Sequence, residues 1–415
     1  MTSNNQSSYH SSLMVTISPH DPLVIRDGRP FSAGGEGANR ARSLDWPYPS
    51  TVSGAIRNLV GHIAAQNGLV NGNPFRNPNF VDRLKNIAVC GPLACKNDRL
   101  YVPAPRDGLA FAATNSGEQT GREKQQGKAG ELEWVRLRPA QLRPGEGCDL
   151  PYSGILSPIL VPRQEKPARM PAFWSIADAV QWLANDGEAA DVPGPREVLD
   201  GFDREERIHV RIDPQTQTAD DSQLFSTQGL IFPFGTGLVA LVDPGEAALN
   251  ELITNLQILH PLGGERRLAY FAVQPTDSRW QSPREIQTVL LRATGVRMQL
   301  ATPAIFSRGW LPGWLDPTTL EGAPPGVSEV RLRLRGACVE RWRPVSGWDL
   351  ERHRPKPLRR VVPAGSVYFF EVVGGSPERL ADVWLRPVAD SEQDRRDGFG
   401  LALWGVWRNK GGSAR

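Results

Sequence analysis

Cysteine is scarce in this chain of 415 residues, and the four cysteines, Cys90, Cys95, Cys148 and Cys338, are scattered. This number is too small for a disulfide framework, and their spacing contains no CxxC pair of the kind that binds zinc. The six histidines show neither HxH nor HExxH spacing. We therefore expect reduced thiols, no metal, no cofactor and a cytoplasmic location.

Long apolar runs and phosphate-binding motifs are also missing. No run approaches the roughly 20 residues that cross a bilayer. Residues 1–12 are polar and lack a signal-peptide core, so we expect a short frayed tail there. Gly235-Thr236-Gly237 lacks the helix and the third glycine of a dinucleotide loop, and no GxxxxGK occurs. The sequence thus offers neither a membrane span nor a nucleotide-binding motif.

Lysine is rare as well: seven of the 48 basic residues are lysine and the other 41 are arginine. The planar guanidinium suits phosphate and stacks on bases, although an arginine-biased genome would give the same composition. The net charge is only +3, but residues 331–360 hold ten Lys or Arg against three Asp or Glu. This local excess favours an anionic partner, and a solvated strand face is the alternative.

The apolar pattern indicates several elements. It predicts a helix from about Ser50, as N-cap, to Gln66, with an apolar stripe at Val52, Ile56, Leu59, Val60 and Ile63. A second amphipathic helix is predicted at 175–184, and a long β-hairpin at 204–232. Residues 113–131 carry almost no bulky apolar side chain and are predicted to be a disordered insertion.

A weak internal symmetry suggests the fold class. A helix, a glycine-rich turn and a strand are predicted over 245–273, with the helix at about 245–259. The same series is predicted again over 377–408, with the helix at 377–385 and the turn and strand at 398–408. Each set fits the second half of a β-α-β-β-α-β unit. We therefore predict an α+β protein with two ferredoxin-like domains, 1–280 and 281–415, carrying long insertions and the hairpin.

Two glycine turns beside arginine pairs are candidate RNA contacts. Gly263-Gly264 precedes Arg266 and Arg267, and Gly398-Phe399-Gly400 follows Arg395 and Arg396. Glycine has no Cβ, so backbone N–H groups can approach phosphates closely. The alternative is that these glycines only join a helix to a strand.

Further candidates lie elsewhere in the chain. Ser50 and Thr51 at a helix start, with Arg57 two turns later, form a possible anion site, or an ordinary helix cap. Phe31 and Trp46 are candidates for base stacking or for packing. The remaining candidate RNA-binding residues are Arg26, Arg29, Arg207, His209, Arg211, Lys356, Arg359 and Arg360.

Three pairs of segments carry a resemblance. They are SPHDPLVIRDGRPF with WPYPSTVSGAIRNLVG, then ERIHVRID and DSQLFSTQGL with HPLGGERRLAYF, and finally GWDLERHRPKPLRRVVPAGSVYFF with GFGLALWGVWR. In this order, from about residue 15 to 408, the chain resembles the RAMP-superfamily third subunit of the type III-B CRISPR (Cmr) effector complex. One departure is visible, because the second Gly-x-Gly step of the superfamily reads Gly405-Val406-Trp407 here.

The resemblance implies two ferredoxin-like, RNA-recognition-motif-like domains and a subunit without a catalytic centre. Such a subunit holds the 5′ handle of the guide RNA (crRNA). It docks on the large polymerase/cyclase-domain subunit and beside a RAMP backbone subunit, in antiviral defence. The alternative is a metal-independent endoribonuclease that cuts guide-RNA precursors, with His209 or His260 as general acid or base. A stand-alone RNA-recognition protein fits less well, because the aromatic RNP1 pattern is absent.

Overall fold

The computed structural model describes residues 12–26, 40–112, 132–141, 145, 155–159, 165–185, 193–276, 278–349 and 354–408. The predicted insertion at 113–131, together with Arg29 and Phe31, lies outside the described residues. Helices and strands are mixed along the chain and strands predominate, so the α+β prediction is confirmed.

The part of the chain up to residue 274 contains most of the helical residues. Its elements, in chain order, are β1 Leu13–Pro19, β2 Arg40–Ala41, α1 Pro49–Gln66, a 3-10 turn Pro74–Arg76, α2 Pro78–Asn86, β3 Ala88–Lys96, β4 Arg99–Pro103, β5 Gly108–Ala112, β6 Leu132–Arg136, β7 Arg138–Ala140, β8 Ser157–Ile159, β9 Phe173–Ser175, α3 Ile176–Ala184, β10 Val198–Leu199, β11 Asp203–Ile212, β12 Ala219–Ile231, β13 Thr236–Asp243, α4 Ala247–Ile253, β14 Gln257–Pro261 and β15 Leu268–Gln274.

The remaining part consists mainly of strands. Its elements are a 3-10 turn Ser278–Trp280, α5 Arg284–Leu290, β16 Gly295–Leu300, β17 Glu321–Gly322, β18 Arg331–Cys338, β19 Arg343–Val345, β20 Trp348–Asp349, β21 Arg354–Pro355, β22 Arg359–Val361, β23 Val367–Gly374, a 3-10 helix Pro377–Val383, β24 Arg386–Pro387, α6 Glu392–Asp397 and β25 Leu401–Val406.

An eight-stranded sheet is formed by the first part, in the order β10-β9-β4-β3-β13-β1-β15-β14. Neighbouring strands are antiparallel throughout. Helices α1, α2 and α4 pack on one face of this sheet. The predicted apolar stripe of α1 is confirmed there: Val52, Ile56, Leu59 and Val60 are buried, and Ile63 is partly buried.

A six-stranded sheet is formed by the second part, in the order β17-β18-β23-β16-β25-β24. Its strands are also antiparallel. The strand β16 lies between β23 and β25, as β1 lies between β13 and β15. The chain leaves β16 through residues 301–330, which form turns, isolated bridges and the short strand β17 rather than a helix.

The two sheets share one apolar core. A single cluster contains Met14 and Val239 from the first sheet and Met298 and Phe370 from the second, with side chains of α3 and α5 between them. A fully buried ion pair crosses the same region, where Arg297 Nη1 lies 2.8 Å from Asp107 Oδ2. The proposed boundary near residue 280 falls between the two sheets and stays a prediction.

Two predicted helices are wrong in extent. The helix predicted at about 245–259 ends at Ile253, and Gln257–Pro261 is a strand. Ile258 and His260 turn inward while Leu259 faces solvent, so this segment alternates as a strand does. The helix predicted at 377–385 is a 3-10 helix, and the final strand begins only at Leu401, after α6.

The predicted N-cap of the first helix is also wrong. Tyr48 is the N-cap residue of α1, and Pro49 occupies the first helical position. Proline fits this position because its φ is already helical and its missing N–H would have no helical partner. Ser50 and Thr51 therefore lie inside the first turn, where Thr51 N donates to Tyr48 O.

Candidate nucleic-acid interface

The β11–β12 hairpin confirms the predicted hairpin and carries three of the candidate residues on one face. His209 lies opposite Phe225, and their rings stack with centroids 5.0 Å apart and planes at 15°. His209 Nε2 is 2.9 Å from Thr227 Oγ1, which fixes the ring. Arg207 and Arg211 are exposed on either side of this pair. The face therefore offers an aromatic platform between two guanidinium groups.

The other face of the hairpin is apolar and faces solvent. Ile208 is 77% exposed and Leu224 is 59% exposed, and Val210 and Ile212 are also exposed. Side chains of alternate residues point to opposite faces of a strand, so the apolar and basic side chains of residues 207–210 lie on different faces. Only the root of the hairpin reaches the core, through Leu230, which is buried in the cluster under the first sheet.

The root of the hairpin is held by the segment before α1. The strand β12 pairs in parallel with β2, and Leu23 bridges to Leu230. Arg204 donates to Ser43 O over 2.8 Å and forms an ion pair with Asp45. This attachment gives the projecting strands a defined direction.

The first glycine turn joins two strands, β14 and β15, and so does not follow a helix as predicted. Gly263 has φ +81°, and a Cβ there would lie 2.6 Å from Val24 O. Gly264 N donates to the same carbonyl over 2.7 Å. The close approach that these glycines permit is therefore to the chain's own backbone. Arg266 remains exposed beside them.

The second glycine turn ends α6. Gly398 is its left-handed C-cap with φ +93°, and a Cβ there would lie 2.4 Å from Val89 O. Gly400 also has a positive φ, +80°. Both glycines are buried, so this turn packs against β3 rather than facing solvent.

The arginines around this turn contact the protein. Arg57 forms a largely buried ion pair with Asp397 and donates to Ile87 O over 2.7 Å and to Arg396 O over 3.2 Å. Arg395 donates to the carbonyl oxygens of Ala389 and Asp390. The structure thus brings Arg57 to the glycine turn, and these contacts give the group a structural role. Their predicted RNA contacts stay predictions.

The ribbon of β19 and β22 carries the second exposed basic group. Arg360 lies over the ring of Trp342, 4.5 Å from its centroid, and Trp342 is 48% exposed. Arg359 pairs with Asp394 over 2.7 Å, and Lys356 is exposed. Trp342 and Phe225 are not among the residues predicted from the sequence. The run Arg341-Trp342-Arg343, and a phenylalanine opposite a histidine, were the available signals.

The family of the chain follows from its sequence. Residues 15–407 match the family described as CRISPR-associated protein (Cas_Cmr3). The chain belongs to this family. The matched range includes the hairpin, both glycine turns and the β19–β22 ribbon. No curated protein matches the chain.

Several solved structures are similar to this Cas_Cmr3 family member. A chain of the type III-B Cmr-beta bound to cognate target RNA and AMPPnP is 15% identical, with 86% of each chain covered and a TM-score of 0.45. A chain of the Csm3-Csm4 subcomplex in the type III-A CRISPR-Cas interference complex is 10% identical. In that case 88% of this chain and 94% of the other are covered, with a TM-score of 0.36.

The other candidate residues of this Cas_Cmr3 family member are dispersed. Arg26 is exposed and its backbone bridges to Ser43. Trp46 packs against Phe173 and Phe202, with ring centroids 4.9 and 5.5 Å away. In the described residues, no helix is long and apolar enough to cross a bilayer, and no group of three His, Cys, Asp or Glu is placed to hold a metal ion.

The candidate histidines differ in environment. His260 is buried, and its Nε2 lies 3.1 Å from Asn58 Oδ1. Burial, with a smaller effect of His62, lowers the pKa of His260 to about 4. At neutral pH its ring is therefore uncharged. His209 lies on the exposed hairpin instead, so the structure does not bring the two histidines together.

Proposed function

We propose that the chain is the RNA-binding structural subunit, the third (Cmr) subunit, of a type III-B CRISPR effector ribonucleoprotein. In this role it holds the 5′ handle of the guide RNA in the cytoplasm, as part of antiviral defence. The observation that carries the proposal is the family match over residues 15–407. The basic and aromatic face of the hairpin supports RNA as the ligand.

The hairpin face suits single-stranded RNA in two ways. The stacked His209–Phe225 pair offers a ring surface, and base stacking on aromatic side chains tolerates any sequence. Arg207 and Arg211 flank it and can contact phosphates on either side. Phosphate contacts position the strand, while base contacts supply whatever specificity the site has.

We also propose that each sheet is built on a ferredoxin-like unit. The four central strands run in the order second, third, first, fourth in both sheets: β3-β13-β1-β15 and β18-β23-β16-β25. This order is that of a β-α-β-β-α-β unit, with the first helix of the second unit replaced by residues 301–330. RNA-recognition motifs use a four-stranded sheet of the same kind.

Exposed apolar side chains support docking on other subunits. Phe234 is fully exposed at the β12–β13 turn, and Ile231 and Leu291 are exposed elsewhere. Contiguous exposed apolar patches mark interaction sites, and the apolar face of the hairpin, with Ile208 and Leu224, is such a patch. We propose the large polymerase/cyclase-domain subunit and a RAMP backbone subunit as the partners.

We propose a binding role rather than catalysis. The alternative ribonuclease would use a histidine as general acid or base beside the reacting 2′-OH. His260 is buried and bonded to Asn58, while the His209 ring is held by Phe225 and Thr227. Pure protein incubated with repeat-containing RNA is expected to leave it intact. Cleavage that His209→Ala or His260→Ala abolishes would establish the enzyme instead.

Copurification tests the proposal as a whole. The tagged full-length chain is expressed with its companion subunits, and the bound RNA is sequenced. The expected result is a set of guide RNAs that share one 5′ handle, together with the large subunit. Bound RNA without a common 5′ end, or a chain isolated without companions, would contradict the proposal.

A further inference from the structure

A cleft of about 750 Å³ lies where the root of the hairpin meets the β19–β22 ribbon. Its lining includes Trp46 and Phe202 on an aromatic wall and Arg169, Asp200 and Arg343 as charged groups. The volume falls in the range of small-molecule sites and exceeds what one aromatic ring system fills. The cleft is therefore large enough for a planar heterocycle.

The aromatic wall is ordered. Trp46 and Phe202 stack with centroids 5.5 Å apart and planes at 28°. Phe202 also packs on Phe232, with a centroid distance of 4.6 Å. Because these rings hold one another, the wall is preformed for a flat partner, and a nucleobase offers a π-face for it.

The charged groups match the edge of a base better than a phosphate. In the described part of the chain, neither the Arg169 guanidinium nor the Asp200 carboxylate has a hydrogen-bond or ion-pair partner. A guanidinium only donates hydrogen bonds and an ionised carboxylate only accepts them. A phosphate would use the arginine and be repelled by the aspartate. A base edge presents both donors and acceptors.

The cleft also connects the two basic surfaces. Arg204, at the hairpin root, and Arg343, on β19, both contact Asp45 at the rim. The hairpin platform therefore lies on one side, and the Arg360–Trp342 pair on the other. A strand that runs from one surface to the other passes the mouth of the cleft.

We propose that this cleft receives one nucleobase, extruded from the stack of the bound single-stranded RNA. The base lies against the Trp46–Phe202 wall, and its edge contacts Arg169 and Asp200. This inference rests on the proposed RNA-binding function, and it adds a single-nucleotide site between the two surfaces.

Filling the cleft tests the proposal. Gly201 lines the cleft, and its φ lies outside the left-handed region. A Cβ at this position would have only Arg169 Nη2 within 4 Å, at 3.8 Å. Gly201→Leu therefore fills the cleft without backbone strain. Gly54→Leu is the matched control, because Gly54 lies exposed on α1 with nothing within 4 Å of its Cβ position.

The measurement is affinity for guide RNAs in which one nucleotide at a time is abasic. For the wild-type chain, an abasic residue at one position should lower affinity about tenfold, as loss of one stacked base does. Gly201→Leu should bind intact RNA about tenfold more weakly and lose the dependence on that position. Arg169→Ala, at an exposed residue with little risk to folding, should reduce the same dependence severalfold.

The possible outcomes distinguish a failure of this cleft proposal from a failure of the proposed RNA-binding function. If Gly201→Leu and Arg169→Ala keep the wild-type affinity and the wild-type abasic profile, the base does not enter this cleft. If Gly54→Leu changes the profile as Gly201→Leu does, the effect is not local and the proposal is overturned. If the wild-type chain binds no RNA at all, alone or in complex, the proposed function itself is wrong.

Discussion

Removing the two guanidinium groups of the hairpin platform should weaken RNA binding and flatten its salt dependence together. The variant is Arg207→Ala with Arg211→Ala. Each phosphate contact on a single strand contributes about 0.7 to the log–log salt slope, so losing two should lower the slope by about 1.4. Over a fourfold rise in salt, the wild type should then lose about sevenfold more affinity than the variant.

The structure indicates that this variant folds. Arg207 pairs with Glu205 over 2.8 Å, but the pair is exposed, and exposed pairs contribute 0 to about 1 kcal/mol. Arg207 and Arg211 are both exposed, so removing their side chains leaves the apolar core unchanged. Thermal unfolding should therefore change little.

A control variant separates a local effect from net charge. Arg83 pairs with Glu246 over 2.6 Å and Arg379 with Glu329 over 2.9 Å, and both arginines are half exposed. Arg83→Ala with Arg379→Ala removes the same charge away from the hairpin. The assay is guide-RNA affinity over a salt series. An unchanged slope in the hairpin variant, or an equal change in the control, would show that these two arginines do not contact phosphate.

Three further predictions concern the fold. Arg297→Met should lower the free energy of unfolding by about 3–5 kcal/mol in urea titration, since it leaves the Asp107 carboxylate buried without its counter-charge; adding Asp107→Leu should restore part of the loss. Gly263→Val should destabilise the chain, because of its positive φ and the Val24 carbonyl, while folded protein keeps its salt slope. Replacing residues 113–131 by Asn-Gly should leave stability and complex assembly intact, because β5 and β6 on either side already pair; an insoluble product would contradict this.

Local periodicity accounts for what the sequence could predict. The stripe of α1 and the alternation of β11 repeat within a few residues, so each can be recognised without knowing the rest of the fold. The helix prediction is wrong at 257–261 because a short apolar run fits either a helix or a strand. Its pairing with β15, which decides the matter, is not a local property.

The candidate site was harder to predict because the partners of its residues are distant in sequence. Arg57 pairs with Asp397, which is 340 positions away in the sequence. Gly263 lies against the carbonyl of Val24, which is also far away in the sequence. The sequence does not distinguish a glycine that lets a phosphate approach the backbone from one that lets a carbonyl group approach it. Only the fold identifies the neighbour, and here it is the protein's own backbone.

Contacts between distant segments also determine where positive charge is available to RNA. The excess of basic residues in 331–360 favours an anionic partner, but Glu321 pairs with both Arg331 and Arg333. A carboxylate from another segment thus cancels part of a charge that the local count includes. The ribbon around Arg360 and the platform around His209 remain exposed, and both combine a cation with an aromatic ring. That combination, rather than the count of arginines, is what distinguishes these surfaces from an ordinary solvated strand.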